Sequence, residues 1–158
     1  MQLRATGEPE GAARTAEAAA DTELPETERI ELLLLGAEIR RRDLLDARGA
    51  LRLVERALSL RPKWGPALDL AETLSETLGD FPRVAEILEL KGQALPEGER
   101  RLGLLGRLAH VYLTRLDDAG KAAQVFERAL AIRPDFRPAL VYLLRGAEEA
   151  GDLAQAEA

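Results

Sequence analysis

Residues 54–68 read VERALSLRPKWGPAL, and residues 126–140, 72 positions further on, read FERALAIRPDFRPAL. Nine of the fifteen positions are identical, and Val54/Phe126, Leu60/Ile132 and Trp64/Phe136 keep an apolar type. Unrelated segments share far less, so the chain contains a duplicated unit. Two further echoes set its length. LPETER at 24–29 returns as LPEGER at 95–100, an offset of 71, and Gly79-Asp80 returns as Gly151-Asp152, an offset of 72. The unit divides again, because Pro62, Pro96 and Pro134 each follow a helical stretch at spacings of 34 and 38. A period near 34 residues built from two helices is that of a helical solenoid.

Composition agrees. The 158 residues are 46% apolar and 32% charged, the balance of an ordered soluble chain. Ala, Leu, Glu and Arg dominate, all strong helix formers, while β-branched and aromatic residues are scarce. An all-α protein is expected. The longest apolar runs, such as Leu32–Ala37, are too short to span a bilayer, and MQLRATGEPEGAAR at the N-terminus lacks the apolar core of a secretory signal. A cytoplasmic location is therefore the expectation. Arg outnumbers Lys 19 to 3 and Asn is absent, a bias of G+C-rich genomes that hints at a bacterial source.

Local signals place the helix boundaries. Asp46, Asp80, Asp118 and Asp152 each stand where a second helix of a pair would begin, with free N–H groups to accept from. Gly79 and Gly151 suit the left-handed position that ends a helix. Pro66 and Pro138 suit the first helical turn, where a missing N–H costs nothing. Ala50/Ala57 and Ala122/Ala129 lie seven apart, hence on one helix face, and admit a close neighbour while Val54 or Phe126 fills the space between.

On these residues the chain resembles the tetratricopeptide repeat (TPR) family. Leu108, Ala109 and Tyr112 match that family's first helix, and Ala122, Phe126, Ala129 and Pro134 its second, with one extra residue in the turn. The earlier copy offers Gly36, Ala37, Ala50, Val54, Ala57 and Pro62, with Arg40 in place of the Tyr. Repeats two and four match mainly by spacing, and Glu72 and Lys91 occupy slots where small residues are usual. The resemblance covers residues 27–158 and implies an all-α, right-handed α-solenoid of about four TPR-like helix pairs, concave on the side of the first helices. The repeats would run about 27–64, 65–98, 99–136 and 137–158, the last one incomplete. Residues 1–26 would be an N-terminal tail or a weak, Ala-rich helix, since 11–23 lie 71 before 82–94. Both ends look cut, as expected of a segment of a longer protein.

The chemistry-bearing residues are few. Without Cys there are no disulfides or thiolate metal sites, and His110 is the only histidine, with Ser59 and Ser75 the only serines. No catalytic triad or zinc site is expected, and neither an enzymatic activity nor a cofactor. His110 reads as solvated or ligand-contacting. Asp117-Asp118 and Glu148-Glu149 are adjacent on helices and point apart, so they read as caps and surface. Arg40-Arg41-Arg42, flanked by Glu38 and Asp43, reads as a solvated helix end or an anion contact. Trp64 and Phe136 read as packing between repeats, and Gly103 and Gly106 as close helix packing rather than a phosphate loop. A net charge of −6 with pI near 5.0 argues against nucleic acid as partner.

The resemblance implies a scaffold that docks a partner peptide or helix in a concave groove. Mapped residue by residue, that groove would be lined by Glu38, Arg41, Arg42, Asp69, Thr73, Glu76, His110, Leu113, Thr114 and Arg145. TPR modules that grip acidic chaperone tails use two groove Asn, which this chain lacks. Two other roles stay open: a regulatory array of a larger enzyme such as a glycosyltransferase or kinase, and a structural component that self-associates through open solenoid ends.

Overall fold

Eight helices form among the described residues, with no strand: α1 Glu8–Ala20, α2 Glu26–Arg42, α3 Ala47–Leu60, α4 Gly65–Leu78, α5 Phe81–Ala94, α6 Glu99–Thr114, α7 Ala119–Ile132 and α8 Arg137–Ala156. The structure is a computed structural model. It describes residues 8–156, with side chains as far as residue 151, so the start of the expected N-terminal tail, residues 1–7, lies outside the described residues. The helices make up an all-α helical-repeat fold that falls into two compact units, residues up to Ile87 and from Leu88 onward.

The duplicated stretches turn out to be one structural part made twice. Val54–Leu60 closes α3, Arg61–Trp64 turns, and Gly65–Leu68 opens α4; Phe126–Ile132, Arg133–Phe136 and Arg137–Leu140 do the same for α7 and α8. Their turns share the same backbone bonds. Arg61 N–H donates to the Ala57 carbonyl (3.1 Å) and Trp64 N–H to that of Arg61 (3.1 Å), as Arg133 donates to Ala129 (2.9 Å) and Phe136 to Arg133 (3.1 Å). Arg61 and Arg133 share an extended backbone that stops each helix, at φ −141 in both. The second turn, from first to second helix, is also made twice. Leu45 and Asp117, 72 apart, both adopt a left-handed conformation, at φ 52 and 49. Leu44 and Leu116 donate back to Ile39 and Val111, and Asp46 and Asp118 to Arg40 and Tyr112, closing the orphan carbonyls of α2 and α6. A left-handed Leu costs about 1–2 kcal/mol, so the turn is set firmly enough to impose on Leu45 the conformation that Asp117 adopts more readily. Asp46 then accepts from Gly49 N–H (2.7 Å), Asp118 from Lys121 N–H (2.8 Å) and Asp80 from Arg83 N–H (3.2 Å). Such caps contribute about 0.5–2 kcal/mol each.

Within the first unit, α1 packs on α2, α2 on α3 and α3 on α4. The core is Ile30, Leu33 and Ala37 of α2, Ala50, Leu53, Val54 and Ala57 of α3, and Ala67, Leu68, Ala71 and Leu74 of α4. Residues 8–20 form a helix, and its buried face is alanine alone: Ala13, Ala16 and Ala20. That is why it can lie close to Gly36, where a Cβ would stand 3.6 Å from the Ala16 methyl and 3.1 Å from Leu53 Cδ1. Glu72, out of place in the repeat pattern, is buried at 5% exposure.

In the second unit α6 packs on α7 and α7 on α8. Leu102, Leu105, Leu108 and Ala109 meet Ala122, Val125, Phe126 and Ala129, with Ala139 from α8. The Phe126 and Tyr142 rings lie 4.9 Å apart, and the Tyr142 hydroxyl donates to the Ala119 carbonyl at 3.3 Å.

Two expectations need correction. Gly151-Asp152 does not end a helix: α8 runs through both residues to Ala156. Gly79, its counterpart, does turn left-handed at φ 72, and α5 follows. Continuing α8 satisfies the backbone groups around Gly151 within the helix itself, and a helical glycine costs only about 1 kcal/mol relative to alanine. Gly103 has open space around its missing side chain, and a Cβ at Gly106 would stand 3.7 Å from Phe136 Cζ, an ordinary contact, so close packing requires glycine at neither position.

Candidate functional site: the exposed faces of the first helices

Each unit carries part of the mapped groove set. In the first, Glu38, Arg41 and Arg42 share the last turn of α2. Glu38 accepts from Arg41 at 2.8 Å and pairs with Arg42 at 3.0 Å. Asp69, Thr73 and Glu76 stand at i, i+4 and i+7 on α4, all exposed, beside a buried face of Ala67, Leu68, Ala71 and Leu74. The Thr73 hydroxyl donates to the Asp69 carbonyl at 3.1 Å. In the second unit His110 and Thr114 are exposed and Leu113 half-buried on one face of α6. The Thr114 hydroxyl donates to the His110 carbonyl at 2.8 Å. Arg145 lies on α8 with Tyr142, Leu143, Gly146 and Glu149 around a shallow depression of about 350 Å³. The structure thus groups three sets, on α2, α4 and α6, and leaves Arg145 on α8.

The Arg40–Arg42 run is neutralised by the chain itself. Arg40 is the deepest, its side chain 14% exposed, reaching Glu17 of α1 at 2.6 Å and the capping Asp46 at 3.2 Å. Its hydrogen bond to Glu17 holds the guanidinium above its usual range despite burial. Arg40 therefore ties α1, α2 and the start of α3 together. Tyr112, its counterpart, instead has the Lys121 ammonium 5.5 Å from its ring centroid.

Reading the sequence alone missed a series of ion pairs between neighbouring helices. Arg61 pairs with Glu26 at 2.7 Å, and Arg133 with Glu99, linking each second helix's end to the start of its first helix. Arg56 meets Asp21, Arg83 meets Glu55 at 2.9 Å, and Arg128 makes two bonds to Glu89 at 2.6 and 2.9 Å. Arg128, exposed on α7, is thus clamped, and the bonds to Glu89 raise its pKa. The available signal was the identity of Arg56/Arg128 and Arg61/Arg133 between the copies. Arg61 also stacks over Trp64, 4.6 Å from the ring centroid, which covers the indole from within its own turn.

A second unpredicted feature is an open groove of about 660 Å³ along α3, lined by Arg48, Leu51, Arg52, Glu55, Arg56 and Ser59 with Leu78 of α4. Arg48 and Arg52 become Gly120 and Gln124 in the second copy, so they are not part of the shared packing plan.

Among the described residues no three His, Asp or Glu side chains gather as metal ligands. No described helix is long and apolar enough to cross a membrane. No family model matches the chain, and no curated protein matches it. Among solved structures it is similar to the crystal structure of MamA, at 15% identity with a TM-score of 0.53, over 96% of this chain and 94% of that one. At that identity the likeness establishes a common helical-repeat fold.

Proposed function

We propose that this chain is a TPR-like protein-interaction scaffold whose first helices, in each unit, present exposed faces to a partner. The carrying observation is the division of labour on α4 and α6. One face of each is buried, and the other holds exposed polar residues, Asp69, Thr73 and Glu76 or His110 and Thr114, that contribute nothing to the core. Arg56 on α3 and Arg128 on α7, with Arg61 and Arg133 just beyond the ends of those helices, are engaged by Asp21, Glu89, Glu26 and Glu99. On this reading the exposed polar faces of the first helices are what a partner meets. With Glu38, Arg41, Arg42 and Arg145 included, the mapped first-helix residues carry both signs, which fits a partner segment with both acidic and basic residues rather than a polyanion, in keeping with the net charge of −6.

Peptides selected from a random library on the intact chain provide the test. Thr73→Arg or His110→Glu should weaken the selected peptides about tenfold or more, a change of about 1.4 kcal/mol. Ala131→Glu, on the exposed side of α7, should leave them unaffected. Binding indifferent to both first-helix variants, with circular dichroism unchanged, would contradict the assignment.

A further inference from the structure

The most exposed apolar cluster among the described residues lies on α8: Leu140 at 38% exposure, Val141 at 46%, Leu143 at 38% and Leu144 at 64%. The duplication shows what such a face is for. Its counterparts on α4, 72 residues earlier, are Leu68, Ala71 and Glu72 for Leu140, Leu143 and Leu144, and they are 1%, 0% and 5% exposed. The first copy buries these positions. The second, with Leu143 for Ala71 and Leu144 for Glu72, leaves them in water, and adds Val141 where the first copy has the exposed Asp69. At about 25 cal/mol per Å², covering such a patch is favourable.

The charges beside the patch indicate the occupant. At 100° per residue, Arg137, Val141, Leu144 and Glu148 fall on one side of α8, opposite the Ala139 and Tyr142 side that faces α7. Arg137 and Glu148 are eleven residues apart, three turns, and therefore nearly in line, with Leu140 and Leu144 between them. Both are exposed. Placed antiparallel against a second α8 about a two-fold axis perpendicular to the helices, the stripe is complementary to itself. Val141 comes opposite Leu144 of the other copy, and Arg137 opposite its Glu148, twice over. A face carrying its cation at one end and its anion at the other matches its own reversed copy, as an isologous contact requires.

We infer that α8 is a self-association face, pairing antiparallel with α8 of a second copy through Leu140, Val141 and Leu144, flanked by two Arg137–Glu148 pairs. One helix pair is a small interface, so the association is weak and appears as concentration rises.

Sedimentation of the full chain from about 1 µM to about 1 mM tests this. The mass should rise from monomer to dimer, and Leu144→Glu should hold it at monomer with helicity unchanged. Arg137→Glu and Glu148→Arg should each weaken the dimer by about two- to tenfold, and the double exchange Arg137→Glu/Glu148→Arg should restore it. A chain monomeric throughout would overturn the proposal and leave the stripe to a helix of another protein. A dimer indifferent to Leu144→Glu, or one the double exchange fails to restore, would place the contact elsewhere or in another register.

Discussion

Truncating Leu108 to alanine is expected to lower stability by about 2–5 kcal/mol. Leu108 is 1% exposed on α6, in the core shared with α7. Removing its branch takes away transfer energy and leaves a cavity that Leu102, Leu105 and Phe126, each placed by its own helix, can fill only in part. Leu144→Ala in the same unit serves as control: its side chain is 64% exposed, so the monomer should change by about 0.5 kcal/mol or less. A denaturant titration reads both as midpoint shifts at constant slope. If the two substitutions cost the same, α6 does not pack as described.

The second large effect is expected where the copies differ. The position of Leu108 in the second copy is Gly36 in the first. Repeat logic alone would make leucine the better residue there, yet Gly36→Leu should cost about 1–3 kcal/mol or more by overpacking. A Cβ at Gly36 already stands 3.1 Å from Leu53 Cδ1 and 3.6 Å from Ala16 Cβ, and the rest of a leucine would have to displace α1. Gly36→Ala is a different case. Its methyl needs only a small shift of the flexible Leu53 end, and the gain in helix propensity of about 1 kcal/mol offsets it, so stability should stay nearly level. Thermal melts of the two variants separate these outcomes. A Gly36→Leu chain as stable as the parent would mean that α1 does not lie against α2.

That contrast shows which parts of the fold were legible in the sequence. Turns were, because their chemistry is local: Asp46 and Asp118 cap the helices they precede, and Gly79 turns left-handed. The seven-residue spacing of alanines was legible as well, since Ala50, Ala57, Ala122 and Ala129 are all fully buried. Gly151 misled because glycine permits the left-handed turn without requiring it, and the dipeptide Gly-Asp fits inside a helix at small cost. The Arg clamps were hidden because the partners of Arg56 and Arg61 each lie 35 residues away, and only knowledge of which helices adjoin brings them together. At the candidate site, Asp69, Thr73, Glu76, His110 and Thr114, which the resemblance mapped to a groove, are exposed residues, and the resemblance gave no sign that Glu38 would engage Arg41 and Arg42. Side-chain pairing within a helix turn depends on rotamers that spacing permits and does not dictate.

Residues 54–68 and 126–140 are one packing element used twice, and leucine substitutions at matched positions test this most directly. Ala57 and Ala129 are 0% exposed, and Ser59 and Ala131, two residues further on, face solvent. Ala57→Leu and Ala129→Leu should each cost about 1–3 kcal/mol in a denaturant titration, while Ser59→Leu and Ala131→Leu stay within about 0.5 kcal/mol of the parent. Equal costs at inner and outer positions, or a penalty in one copy without the other, would contradict the account.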